Sequence, residues 1–262
     1  MKYFFDPQIV INIARKEVGY REKKSNKDLD DPTANAGDKN YTKYARDMDA
    51  LGDFYNGRKQ GICGWCDIFV DWCFVQAYGV TEGRELLCQP LRSCGAGPYY
   101  SMQYFKARKQ LRTMPEPGDQ IFFLPSSGGD KPSHTGLVVD VDDKYVYTIE
   151  GNTSANGITG CAAAKSYLLT NTRIAGYGHP DWGEMPDEEP AENTGEDPDT
   201  VENVVSLYAL PDDDSEIVAK QDGELLIVAL ATNGWYGVWH DGRICWVHPD
   251  NVGVFPIGAD AV

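Results

Sequence analysis

Long apolar runs are what this chain lacks most plainly. The opening Met1-Lys-Tyr-Phe-Phe-Asp6-Pro7 offers only Phe4 and Phe5 as consecutive bulky apolar residues, so neither a signal-peptide core nor a membrane-spanning helix is expected. Synthesis in the cytosol, reduced thiols and no membrane insertion follow as expectations. Basic charge is scarce as well. Residues 1–182 hold 22 basic and 22 acidic side chains, whereas residues 183–262 hold 2 basic and 18 acidic, which is the whole of the net charge of −16. A nucleic-acid partner is excluded on this ground, because its electrostatic footprint would be a basic stripe. The seven cysteines, Cys63, Cys66, Cys73, Cys88, Cys94, Cys161 and Cys245, are an odd number and argue against a complete disulfide framework. Cys63 and Cys66 have the two-residue gap of a zinc or redox pair, but no second Cys/His pair follows at zinc-finger spacing, and no metal is expected.

What is present divides into three stretches. Gly183 to Thr200 contains three prolines, and Met185 is its only sizeable apolar side chain, which predicts a solvated, self-repelling linker over 183–200. Before it, residues 1–182 form the first predicted domain. Asp6-Pro7 followed by Ile9, Val10, Ile13, Ala14 and Val18 predicts a helix. Residues 20–60 are polar and read as a long surface segment around a short helix near Tyr41 to Met48, a place where a substrate groove could be walled. Pro115, Pro117 and Gly118 then break the chain before the strand-like Asp119–Leu124. Helices first and an antiparallel sheet after them imply an α+β domain.

The chemistry-bearing residues lie within this domain. After the turn formers Asn56, Gly57, Gly61 and Gly64, the residues Ile68, Phe69, Val70, Trp72, Phe74, Val75, Ala77 and Tyr78 run apolar until Gly79, interrupted by Asp67, Asp71 and Gln76. Apolar on nearly every side, this is a buried helix with Cys66 at its positive end, where a thiolate is favoured. A buried cysteine is by itself more often an inert packing residue. Downstream, His134–Val141 and Tyr145–Asn152 read as a hairpin with Leu137, Val139, Val141, Tyr145, Tyr147 and Ile149 on the core side. Burying that set requires a register that puts His134 across from Glu150 or Asn152, an imidazole beside a carboxylate. Nucleophile, base and orienting groups are the parts of a cysteine hydrolase.

Trp65-Cys66 opening an apolar helix, then His134-Thr-Gly-Leu-Val-Val, then Ile149-Glu150-Gly-Asn152-Thr, resembles the CHAP family of cysteine, histidine-dependent amidohydrolases and peptidases. The resemblance spans roughly residues 1–180 and implies a papain-like α+β fold, helices on an antiparallel sheet, and cleavage of an amide bond in bacterial peptidoglycan. It implies Cys66 as nucleophile, His134 as base and later acid, Glu150 as the group orienting the imidazole, and Asn152 as a second polar anchor. Either an N-acetylmuramoyl-L-alanine amidase or an endopeptidase of phage-endolysin type would fit, acting as a monomer without a cofactor on the wall outside the cell. Some relatives carry a calcium loop before the nucleophile. Here Asn56–Cys63 has no acidic ligands, and Asp47, Asp49 and Asp53 stand further upstream. Gln60-Gly-Ile-Cys63-Gly-Trp-Cys66 also echoes the papain signature, in which such a glutamine donates to the oxyanion, so a papain-like or NlpC-type peptidase is the alternative. A wall-binding protein with an inactive catalytic half is the non-enzymatic one.

Residues 201–262 alternate short apolar runs with turns, and a small all-β barrel is expected. Trp235-Tyr236-Gly-Val-Trp239 and Asp241–Val247 resemble bacterial Src-homology-3-type modules, which implies a wall-binding domain with Tyr208, Trp235, Tyr236 and Trp239 as candidate ligand-binding aromatics. Packing of a barrel core would use the same residues.

Overall fold

Proline at the first helical position produces α1 (Pro7–Lys16) in the computed structural model, which describes residues 5–93, 95–183, 205–209, 214–221, 227–230, 235–240 and 243–248. Ile9, Val10, Ile11 and Ala14 are its buried stripe; the helix ends before Val18, which is left 47% exposed. The polar stretch that follows contains α2 (Lys43–Ala50), capped by Thr42, whose hydroxyl accepts a 3.1 Å hydrogen bond from the Ala45 amide. Next comes α3 (Cys66–Leu86), buried through most of its length. It breaks at Gly79 (φ 79°, ψ 177°), where a left-handed residue ends the apolar run and a second helical piece begins. Among the described residues the last helix is α4 (Pro98–Ala107).

The strands of this unit are β1 (Leu111–Arg112), β2 (Gln120–Phe123), β3 (His134–Val141), β4 (Tyr145–Ala155), β5 (Ile158–Leu168) and β6 (Ile174–Gly178). They form one antiparallel sheet in the order β1-β6-β2-β3-β4-β5. Both faces are covered. Leu137 and Ile149 are buried on the face that receives α3, where a Cβ on Gly151 would lie 2.5 Å from Phe69 Cβ and 2.8 Å from Trp65 Cζ3. The opposite face is closed by Ile121, Phe123, Val138, Val146 and Tyr177. The expected core side therefore holds for only part of the hairpin. A bulge between Val138 and Asp140 turns β3 over, so that Val141 pairs with Val146 and joins the second core; on β4, whose alternation is unbroken here, Tyr145 is exposed.

The close approach at Gly151 seats the N-terminus of α3 against the sheet. Gly151→Ala should lower unfolding stability by about 1–3 kcal/mol, since the added methyl must displace Phe69 or Trp65 from a packed core. Urea denaturation followed by tryptophan fluorescence would measure it.

The chain divides into two compact units, Pro7–Asp181 and Met1–Asp6 with Trp182–Val262. The acidic stretch expected as a linker lies, from residue 184 onward, outside the described residues. In the second unit β7 (Val205–Tyr208), β8 (Ile217–Gln221), β9 (Ile227–Leu230), β10 (Tyr236–His240) and β11 (Arg243–Val247) pair in the order β8-β7-β11-β10-β9. The expected barrel is not formed. Closure needs the two outermost strands to pair with each other, and among the described residues β8 pairs only with β7 and β9 only with β10, so the sheet is open. Its core is Leu207, Val238, Cys245 and Val247.

Candidate active site

Cys66 lies at the N-terminus of α3, follows Trp65, and is 7% exposed. Trp65 is fully buried in an aromatic group with Tyr44 and Tyr20, at centroid distances of 5.4 and 6.2 Å. Its indole donates a 2.9 Å hydrogen bond to Glu22 Oε2. Glu22 in turn lies against Gly160 of β5, where a Cβ would come within 2.3 Å of its Cδ. On the other side of the nucleophile, the buried Asp67 accepts hydrogen bonds from the Gly97 amide (2.6 Å), Ser101 Oγ (2.8 Å) and Gln120 Nε2 (2.9 Å). One turn along, the buried Asp71 accepts from the Tyr55 hydroxyl at 2.7 Å. Burial pushes the carboxyls of both aspartates up, and hydrogen bonds to each oppose that shift. Asp67 and Asp71 interrupt an otherwise apolar helix in the sequence, a signal of internal partners since buried carboxylates require them, whereas Glu22 carries no such signal.

His134 opens β3, its ring stacked on Phe123 with centroids 5.9 Å apart. Its Nε2 lies 2.8 Å from Glu150 Oε2, which leaves Nδ1 for the hydrogen bond that joins the ring to Cys66. Glu150 is fully buried and accepts further hydrogen bonds from Thr148 Oγ1 (2.8 Å), Thr153 Oγ1 (3.2 Å) and the Tyr167 hydroxyl. Its side chain crosses β3 over Gly136, where a Cβ would sit 2.5 Å from Glu150 Cγ; the missing side chain is what lets the carboxylate reach the ring.

The electrostatics follow from this geometry. Burial opposes protonation of His134, but the hydrogen bonds and charges of Cys66 and Glu150 outweigh it and push the imidazole up to about 10. Burial likewise works against the Glu150 carboxylate, yet His134 holds it below its ordinary value. A protonated ring between a sulfur and a carboxylate is the arrangement that stabilises a thiolate. At two other buried thiols desolvation dominates, pushing Cys73 well up and Cys88 to about 12.

Asn152 follows Glu150 by two residues on β4. It adopts φ 51° at the irregularity between Glu150 and Thr153, and its Nδ2 lies beside Gly64, where a Cβ would be 3.3 Å away. Cys66, His134 and Glu150 are brought together, whereas Asn152 faces the loop leading to the nucleophile. Gln60 uses its amide within that region, donating to the Arg58 carbonyl (3.1 Å) and accepting from the Ala96 amide (3.3 Å). The upstream acids are also engaged by protein donors. Asp49 accepts from the Gln60 and Gly61 amides, Asp47 from Trp72 Nε1, and Asp53 faces Arg84. A cleft of about 390 Å³ opens beside this loop, lined by Tyr41, Thr42, Arg46, Lys59 and Ile62.

In the C-terminal sheet Trp235 is 3% exposed, packed edge-on against Tyr208 at 5.0 Å, and Tyr236 is half-buried. The side chain of Trp239 lies outside the described residues.

No curated protein matches the chain. Among solved structures, it is similar to one described as the crystal structure of Ly7917, with 14% identity, 92% of each chain covered and a TM-score of 0.40. It is similar also to the crystal structure of Ly7917 with the hydrolyzing product of MDP, at 15% identity, the same coverage and a TM-score of 0.40. Residues 55–152, the span that contains Cys66, His134, Glu150 and Asn152, match the family model described as the CHAP domain.

Proposed function

We propose that this protein is a cysteine amidohydrolase or peptidase that cleaves an amide bond of bacterial peptidoglycan, acting on the wall outside the membrane. The observation that carries the proposal is the His134 imidazole held between Cys66 and the buried Glu150. The sulfur of Cys66 attacks the carbonyl carbon, and the electron pair of the C=O bond moves to oxygen. Collapse of that adduct breaks the C–N bond while His134 gives its Nδ1 proton to the departing amine, leaving a thioester. Water then adds to the thioester as His134 takes one of its protons, the C–S bond breaks, and the carboxylic acid leaves. Glu150 keeps the ring oriented and balances its charge throughout. Asn152, beside Gly64, steadies the loop before the nucleophile. The C-terminal sheet serves to hold the enzyme on the wall through its aromatic strand, with the half-buried Tyr236 more accessible than the buried Trp235.

Mass spectrometry of purified sacculi treated with the enzyme tests the proposal. Soluble fragments with new free alanine or bridge amines, and no new reducing sugars, are expected. Release of reducing ends, or no release at all, would contradict it.

A further inference from the structure

Tyr99 and Tyr100, at the start of α4, take no part in the chemistry above. Their rings meet edge to face at 5.5 Å, and Tyr100 is 43% exposed. Both are fixed from two directions. Asp67, the residue after Cys66, accepts hydrogen bonds from Gly97 and Ser101, which bracket the pair in sequence. From the other side Lys131 Nζ lies 5.2 Å from the centre of the Tyr99 ring. Lys131 is three residues before His134 in the β2–β3 loop, whose base is closed by the Ser133 amide donating to the Phe123 carbonyl at 2.9 Å. The Tyr100 ring rests on Gly97, where a Cβ would be 3.3 Å from Cδ2. The tyrosines thus bridge the segments carrying Cys66 and His134, and Lys131 has no carboxylate partner among the described residues.

The exposed Tyr100 ring, edge to face with the half-buried Tyr99 ring that an ammonium group overlies, matches one face of a pyranose. The sugar's C–H groups pack on the ring, and its hydroxyl and acetamido oxygens accept from the cation. A peptide backbone has no comparable flat apolar face. We infer that Tyr99, Tyr100 and Lys131 form a saccharide subsite beside the nucleophile, which takes an N-acetylated pyranose of the glycan strand. The inference rests on the hydrolase reading above and refines it: with a sugar ring next to Cys66, the amide cut is the one joining the glycan to its peptide.

Calorimetric titration of the Cys66→Ala variant, which holds substrate without turnover, with a disaccharide-pentapeptide and with the free pentapeptide tests this. The saccharide ligand should bind about tenfold more tightly, as expected for burying one ring face. Adding Tyr100→Ala should abolish that advantage and leave the free peptide unchanged, whereas Tyr100→Phe should keep it. Saturation-transfer NMR on the Cys66→Ala protein, which needs no change at Tyr100, should mark pyranose protons more strongly than peptide methyls. Equal affinities, no binding of the saccharide ligand, an equal loss for both ligands, or transfer favouring the peptide would each overturn the subsite. Release of fragments from sacculi by the unsubstituted enzyme, measured in parallel, separates failure of the subsite from failure of the hydrolase reading.

Discussion

Cys66→Ala is expected to abolish release of soluble fragments from sacculi while the protein remains folded. Cys66→Ser should be nearly as inactive, because a hydroxyl beside an imidazolium does not ionise as a thiol does. The rate loss should reach on the order of 10³-fold or more, as for removal of a nucleophile that acts as a unit with its base. Cys66 is 7% exposed at the start of a helix packed on both sides, and replacing one sulfur there leaves Trp65, Phe69 and Asp67 in place. Thermal melting close to that of the unsubstituted enzyme should accompany the lost activity. Wild-type rates in either variant would remove Cys66 as the nucleophile.

Glu150→Gln should produce the second large effect, and its signature is in the pH dependence. The carboxylate is one of two partners that raise His134 to about 10 from an ordinary value of 6.5. Without it the imidazole loses its proton at lower pH, and at neutral pH activity should fall by roughly 10²–10⁴-fold. The alkaline limb of kcat/KM should move to lower pH as well. Stability carries the same sign. A raised folded-state value for His134 contributes stability that is complete below pH 6.5 and is lost as pH rises through about 10. Glu150, with its lowered value, contributes stability present above its ordinary value of 4.5 and lost on acidification below it. The unsubstituted protein should therefore melt at lower temperature as pH is raised across the window from 6.5 to about 10, and the variant should show a flatter curve. If Glu150 were only a packing residue, the variant would melt earlier with no displacement of the alkaline limb.

Cys66, His134 and Glu150 were legible in the sequence because two periodicities reach them independently. An apolar run of helical length sets Cys66 at a helix start, and alternation in a hairpin sets His134 and Glu150 on one side of a sheet. Helices α1 and α2, the first part of α3 and the antiparallel character of the sheet followed from local patterns, whereas α4 and the second part of α3 did not. The bulge after Val138 did not, since one extra residue leaves no mark on hydrophobicity while it turns over every side chain beyond it. Nor did the placement of the Asn152 side chain, whose amide lies beside Gly64 from a left-handed backbone at a sheet irregularity. Glu22, Asp67 and Gln120 were hidden for another reason. Their partners lie tens of residues away, and only the packed fold reveals which buried carboxylate meets which donor. The closed barrel was expected from short apolar runs alternating with turns, but closure depends on the outer strands meeting, which local pattern does not encode.

Sulfur and imidazole come from positions 66 and 134, on a helix and a strand that the fold packs together, α3 being seated on the sheet where Gly151 of β4 admits Phe69 and Trp65. A nascent or partly unfolded molecule consequently carries an ordinary thiol and an ordinary histidine, with nothing to activate either. The proposed hydrolase activity therefore needs the assembled fold, and its loss on warming should coincide with loss of tertiary structure.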